Sequence, residues 1–240
     1  MKFIVCDSYE EMSREGAAII ADLMKKKPEC LLGLATGSTP VGLYRELIRR
    51  YEAGEIDFSA VRTYNLDEYY PISPENDQSY RYFMNRNLFD HVNIKKENTH
   101  VPDGSAADPD AACAAYEAEY QATGGADIQV LGIGQNGHIA FNEPEEKLYA
   151  VTHVTDLSRN TIEANARFFA SVEDVPTRAM TMGLGTIMAA RKIVLLANGK
   201  NKHAAIEAMK EGRITTAVPA TLLSLHRDVV VICDREAYNG

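Results

Sequence analysis

The sequence predicts an α/β protein, a single domain over residues 1–240 built on a doubly wound, mostly parallel sheet with helices on both faces. Three observations carry this. Short apolar runs alternate with amphipathic helical stretches almost from end to end, the pattern of strand–helix–strand units around a parallel sheet. Two of the runs end in glycine-bearing loops, as buried strands do where they leave a sheet. The chain has 240 residues, 45% of them hydrophobic and 25% charged, enough for one sizeable core, and no linker, repeat or low-complexity tract divides it.

The elements follow in order. Phe3–Val5 is the first expected strand, and Tyr9–Lys27 has the pattern of a long amphipathic helix. Cys30–Ala35 is a buried strand that exits into Thr36–Thr39. Pro40 then opens a helix, Pro40–Glu52, at a turn that tolerates a missing N–H. Val61–Leu66 is a strand leading into Asp67 and Glu68, and a helix is expected over Ser79–Leu88. His100–Val101 is a short strand, Pro102–Pro109 a loop, and Asp110–Thr123 a helix. Ile128–Ile133 is an apolar strand ending among glycines. Val151–Thr155, Lys192–Ala197 and Val229–Cys233 complete the strands, and Thr161–Ala166 and Lys202–Met209 the helices. Met180–Thr186 reads as strand-to-helix packing, its glycines permitting close approach.

Composition excludes several classes. A net charge of −9 is wrong for a nucleic-acid surface, which needs clustered Lys and Arg. The cysteines (Cys6, Cys30, Cys113, Cys233) are widely spaced without a CxxC pair, so buried free thiols are expected rather than disulfides or zinc ligands. No apolar stretch is long enough for a secretory signal or a membrane span, and a cytoplasmic setting is expected.

Three constellations can carry chemistry. In Leu131–Pro144 (LGIGQNGHIAFNEP) glycines release a buried strand into a loop that presents His138 and, five residues on, Glu143. An imidazole titrates near neutrality, and a nearby carboxylate can fix its tautomer. A histidine capping a turn is the plainer alternative. In Leu31–Leu47 the loop Thr36-Gly37-Ser38-Thr39 precedes a helix, so backbone amides, hydroxyls and a helix N-terminus form a ready anion site. Ser38 or Thr39 acting only as a helix cap is the alternative there. In Thr63–Tyr69, Asp67 stands at a strand's carboxyl end, a general base if partly desolvated, unless Asp67 and Glu68 simply start a helix. Arg167 and Lys202 are the candidate cations for an anionic ligand, each equally readable as solvated surface, with Lys200 and Arg213 weaker. The other histidines (His91, His100, His153, His203, His226) lack metal-ligand spacing, and no metal is assigned.

Taken in this order, LGLATGSTP (32–40), NLDEY (65–69), SYRYFMN (79–85), GIGQNGHIAFNEP (132–144), ANARFF (164–169), AMTMG (179–183) and DREA (234–237) resemble the glucosamine-6-phosphate deaminase family, over essentially the whole chain. The resemblance implies a Rossmann-like fold and the conversion of glucosamine 6-phosphate and water to fructose 6-phosphate and ammonia without metal or organic cofactor. It makes Asp67 the base that moves a proton between C2 and C1. His138 assists ring opening with Glu143 as its acidic partner. Many relatives carry Asp at the position of Asn136; with Asn, the side chain is expected to position His138 by hydrogen bonding and to leave the imidazole dependent on Glu143. Gly37, Ser38, Thr39, Arg167 and Lys202 are expected to hold the phosphate. A small sugar phosphate is then the partner, with neither nucleic acid nor membrane, as a monomer or a homo-oligomer. Glu145–Thr155 opens acidic where regulated relatives are basic and the chain stops at Gly240, so activation by N-acetylglucosamine 6-phosphate is expected to be weak or absent. The rival families are 6-phosphogluconolactonase, whose pattern lacks NLDEY followed by FNEP, and sugar-phosphate sensor domains. The latter need a helix-turn-helix segment, for which a first strand at Phe3 leaves no room.

Overall fold

The computed structural model describes residues 1–158, 162, 171 and 175–240. Its strands are β1 (Lys2–Cys6), β2 (Leu31–Leu34), β3 (Arg62–Asn65), β4 (Asp67–Tyr70), β5 (Thr99–His100), β6 (Ile128–Leu131), β7 (His153–Asp156), β8 (Arg178–Thr181), β9 (Lys192–Ala197) and β10 (Val229–Asp234). The helices are α1 (Tyr9–Lys26), α2 (Val41–Glu52), α3 (Tyr80–Asn87), α4 (Pro109–Ala122), α5 (Leu184–Met188), α6 (His203–Lys210) and α7 (Arg235–Asn239). The expected helix Thr161–Ala166 lies, apart from Ile162, outside the described residues.

Among the described residues a wholly parallel sheet runs in the order β1-β10-β9-β6-β2-β3-β5. Alternation along its strands divides the core in two. Leu32, Leu34, Val130, Val194 and Ile232 pack with Met12 and Ile20 of α1, Leu43 and Leu47 of α2 and Met84 of α3. Leu31, Leu131, Leu195, Val231 and Cys233 pack on the other side with Tyr120 of α4, Ile187 of α5, Ile206 of α6 and Ala237 of α7. Both faces are therefore covered, which is why the strands read as continuous apolar runs rather than alternating ones. The side chains of Ser8, Ser79 and Asp108 cap α1, α3 and α4, each accepting one first-turn amide, worth about 1 kcal/mol apiece. All four cysteines are buried and free, and among the described residues no helix is long and apolar enough to cross a membrane.

The topology locates a crevice. From β2 the chain proceeds through β3 to β5, and from β6 it proceeds the opposite way through β9 to β10. The direction reverses between β2 and β6, and open α/β sheets hold ligands outside the carboxyl ends of the strands at such a point.

One feature departs from the sequence reading. β4, β8 and β7 form a second sheet, antiparallel throughout, so the expected strand Val151–Thr155 is placed at His153–Asp156 and outside the main sheet. The junction is Leu66: its N–H donates to Leu34 O at 3.2 Å, while its carbonyl accepts Met182 N at 2.8 Å. One peptide thus ends the parallel ladder and begins the antiparallel one.

Candidate active site

The four central neighbours β9, β6, β2 and β3 send their carboxyl-end loops to the same rim. Lys202, His138, and Ser38 with Thr39 follow β9, β6 and β2 there, and Asp67 stands just past β3 as the first residue of β4.

The loop after β2 is built as an open cradle. Gly37 has φ +89° and nothing within 4 Å of where a side chain would start; an L-residue there would be strained. Neither Ser38 nor Thr39 caps α2, which opens after Pro40 with no side-chain cap. Thr39 Oγ1 instead donates to Asn198 Oδ1 at 3.1 Å, tying this loop to the one after β9. The Tyr9 hydroxyl accepts Gly42 N at 2.7 Å and lies 3.1 Å from the carbonyls of Ser38 and Thr39, fixing the loop from below. The hydroxyl of Ser38 stays exposed and without a partner among the described residues, next to the positive end of a 12-residue helix. Lys202 stands half-buried at the entry of α6, after Gly199 at φ +87°, whereas Lys200 and Arg213 are exposed. Arg167 lies outside the described residues.

Asp67 opens β4 and is 6% exposed. No helix starts there. Across the ladder it faces Thr181, and paired residues of antiparallel strands point to one side. Thr181 Oγ1 accepts Phe141 N at 3.1 Å, so Asp67 lies on the face to which the loop of His138 is fastened. Among the described residues no donor meets its carboxylate. Burial, and then the charge of Glu68, push the Asp67 carboxyl up to about 8.

The loop after β6 is held by short-range bonds. Gly134 N donates to His138 O at 2.9 Å and Gly137 N to Gly134 O at 3.1 Å, with Gly137 at φ +80°. The imidazole lies directly over Gly134, where a Cβ would collide with it. Asn136 Nδ2 donates to Glu143 Oε2 at 2.7 Å, and Asn136 Oδ1 accepts the main-chain N–H of His138 at 3.2 Å. The asparagine thus positions His138 through its backbone and Glu143 through its side chain, and does not touch the ring. His138 Nδ1 is 3.4 Å from Glu143 Oε2, an ion-pair separation without hydrogen-bond alignment, which leaves that buried nitrogen without a hydrogen-bond partner among the described residues. Such contacts are often long until substrate arrives. Nor does the ring cap a turn.

Sequence reasoning missed four contributors. Asn142 Nδ2 donates to Ile139 O and Met182 O, both at 2.9 Å, bracing a turn in which Ala140 has φ +53°. Ser158 Oγ donates to Glu143 Oε1 at 3.3 Å. Thr181 links the loop to β4, and Ala220 N donates to Gly137 O at 2.9 Å from the other side. Asn142 and Thr181 stood inside motifs already singled out, though for other reasons; Ser158 and Ala220 lie far along the chain, with no local pattern to flag them. No cluster of three or more His, Cys, Asp or Glu in a metal-holding arrangement occurs among the described residues.

A buried carboxylate and an imidazole–carboxylate pair at one rim of a parallel α/β sheet make an arrangement suited to proton transfer. The family model described as glucosamine-6-phosphate isomerases/6-phosphogluconolactonase matches residues 7–232. The chain belongs to that family. It is 56% identical over 237 residues to a glucosamine-6-phosphate deaminase of Clostridium perfringens, covering 99% of this chain and 98% of the relative. A glucosamine-6-phosphate deaminase of Thermoanaerobacter sp. is 57% identical over 237 residues, 99% of this chain and 94% of the relative. The solved structure of a monomeric glucosamine-6-phosphate deaminase superposes with TM-score 0.96 at 46% identity, over 99% of this chain and 98% of that one. A 6-phosphogluconolactonase from Trypanosoma cruzi shares the fold at TM-score 0.79 and 21% identity, over 98% and 95% of the two chains.

Proposed function

We infer that this chain catalyses the isomerising deamination of glucosamine 6-phosphate, which with water yields fructose 6-phosphate and ammonia. The observation that carries the reading is the joining of Asp67 to the loop of His138 through Thr181, at the rim where the anion cradle also opens. His138, backed by Glu143, serves ring opening: the C1–O5 bond breaks, O5 gains a proton and the C1 hydroxyl loses one. Asp67 then moves the C2 proton to C1, while the C1 carbonyl oxygen gains a proton and the amine nitrogen loses one, which turns the amine-bearing carbon into an imine. Water adds at C2 and ammonia leaves. A carboxylate pushed up toward 8 is a stronger base than an ordinary one and suits a carbon acid. Gly37, Ser38, Thr39, Arg167 and Lys202 hold the phosphate, so the open chain lies against the base. Positioning of this kind can lower a barrier by up to about 7–11 kcal/mol. Four buried free thiols fit a reducing compartment, and the reading places the enzyme in the cytoplasm.

A coupled ammonia assay on glucosamine 6-phosphate, with 6-phosphogluconolactone hydrolysis as control, tests this directly. Ammonia release without lactone cleavage is expected, and the reverse overturns the assignment. Arg167→Ala and Lys202→Ala are each expected to raise KM by about 10–100-fold with little change in kcat, since a phosphate contact worth about 1.5–3 kcal/mol persists from ground state to transition state. Unchanged KM in both places the phosphate elsewhere. Because the free enzyme needs Asp67 ionised, kcat/KM is expected to climb with pH and level off above about 8. A profile already flat from pH 5 removes Asp67 as the base.

A further inference from the structure

Glu68 stands beside Asp67 and faces the other way. Alternation along β4 sends its side chain to the opposite side of the strand, where it is 2% exposed. There Oε1 accepts the amides of Tyr69 at 2.9 Å and Tyr80 at 2.8 Å, and Oε2 accepts that of Arg81 at 2.9 Å. Tyr80 and Arg81 open α3, whose cap residue Ser79 takes only the amide of Tyr82. A carboxylate at that end answers both the unpaired amides and the positive end of the helix dipole. Arg81 turns its guanidinium to Thr99, at 2.8 Å and 2.9 Å, so amides rather than an ion pair hold Glu68. The contact also sets Tyr80, whose ring tilts on Tyr69 at 4.8 Å and stacks parallel to Phe141 at 6.2 Å. Phe141 belongs to the loop of His138.

We propose that Glu68 is a positioning residue for Asp67: by gathering the amides of Tyr69, Tyr80 and Arg81 it locks β4 to the first turn of α3, turns Asp67 toward the cleft, and keeps a negative charge one residue from the base. This rests on Asp67 being the base of the proposed deamination. The titratable groups whose charge is felt at Asp67 through space are Glu68 on its own strand, Tyr44 on α2, Tyr80 on α3 and Tyr116 on α4. Burial pushes all three phenols well above their usual range, so they stay neutral, and of these neighbours Glu68 alone changes charge near pH 7. Burial raises Glu68 to about 7, its amide donors opposing the rise. Both carboxyls are thus raised by burial, and a negative charge on Glu68 raises Asp67 further.

The test is the pH dependence of ammonia release from glucosamine 6-phosphate by the full chain and two variants. Glu68→Gln keeps the shape and drops the charge. Its acidic limb in kcat/KM is expected to move about one unit lower, with kcat reduced about tenfold by the loosened strand. Glu68→Asp keeps the charge on an arm too short for α3, so kcat is expected to fall while the limb stays in place. A Glu68→Gln enzyme with the wild-type limb and kcat within twofold overturns the proposal, as does a Glu68→Asp enzyme with full kcat. Carbon-13 NMR titration of the carboxyl groups in the unaltered protein reads the same coupling whether or not the variants fold. The Asp67 signal is expected to shift in two steps, one of them shared with the Glu68 signal; a single step independent of Glu68 overturns the proposal. Absence of ammonia from the wild-type enzyme defeats the reaction instead, and the titration still decides the coupling.

Discussion

Asp67→Asn is expected to lower kcat about a thousandfold while making the protein more heat-stable in alkaline buffer. The first part follows from the role: a positioned base contributes about 10²–10⁴-fold, and an amide cannot take a proton from carbon. The second follows from linkage. Folding raises the Asp67 carboxyl from 3.8 to about 8, so between those values the unfolded chain has released a proton that the folded chain still holds. Stability is therefore present in full below about 3.8, is lost as pH rises toward 8, and stays low above. The gap corresponds to a penalty on the order of 5 kcal/mol at alkaline pH. Asn escapes it but leaves a buried amide poorly paired, which costs about 1–3 kcal/mol. The net gain is a few kcal/mol at pH 9, and at about 2–4 °C per kcal/mol the thermal midpoint rises by roughly 5 °C or more. Near pH 4 the gain disappears. Thermal melts of both proteins across this range check it: a midpoint difference that ignores pH contradicts a buried, ionising Asp67, and so does a variant that retains kcat.

How much of this was legible depends on where each signal lives. The central strands of the main sheet are flanked on both faces, so β2, β6, β9 and β10 are mostly apolar and the runs stand out; Lys192–Ala197 was read to the residue. The helices α1 to α4 were read to within a residue at each end for a related reason, since their starts and stops lie in local sequence. Of the second sheet only the strand at His153–Asp156 was legible, and not its place outside the main sheet. Asp67–Tyr70 and Arg178–Thr181 are four residues each, and neither alternates cleanly between polar and apolar. What makes them strands is each other, across more than 100 residues. The site divides the same way. His138, Glu143 and Asp67 are visible because titratable residues follow apolar strand runs closely, a pattern that lies in local sequence. The fastening of Phe141 to Thr181, and the reach of Glu68 to the first turn of a helix that begins twelve residues on at Tyr80, leave no local trace. Asn136 is the instructive intermediate: its neighbours were read, but its contact with Glu143 in place of the imidazole depended on the turn at Gly137.

Gly134→Ala is expected to damage catalysis about as much as removing the imidazole, without unfolding the protein. A methyl group at residue 134 occupies the place of the His138 ring, and a ring side chain moves more cheaply than backbone. The backbone of Gly134 does not have positive φ, so alanine brings no conformational strain, and the thermal midpoint should stay within about 2–4 °C, the shift that corresponds to roughly 1 kcal/mol. The ring, once displaced, leaves the 3.4 Å pairing with Glu143 on which its proton transfer depends. A loss of about a hundredfold in kcat/KM is expected, at the lower end of general acid–base contributions, with a similar loss for His138→Ala. The double variant separates this from a loop that has merely shifted. With no ring over residue 134 the three nearest atoms the methyl would meet are gone, so Gly134→Ala should cost little further in the His138→Ala background, a coupling about as large as either single effect. Losses that multiply would mean that the glycine serves the loop and not the imidazole, and a Gly134→Ala enzyme with full activity would show that the ring does its chemistry from another position.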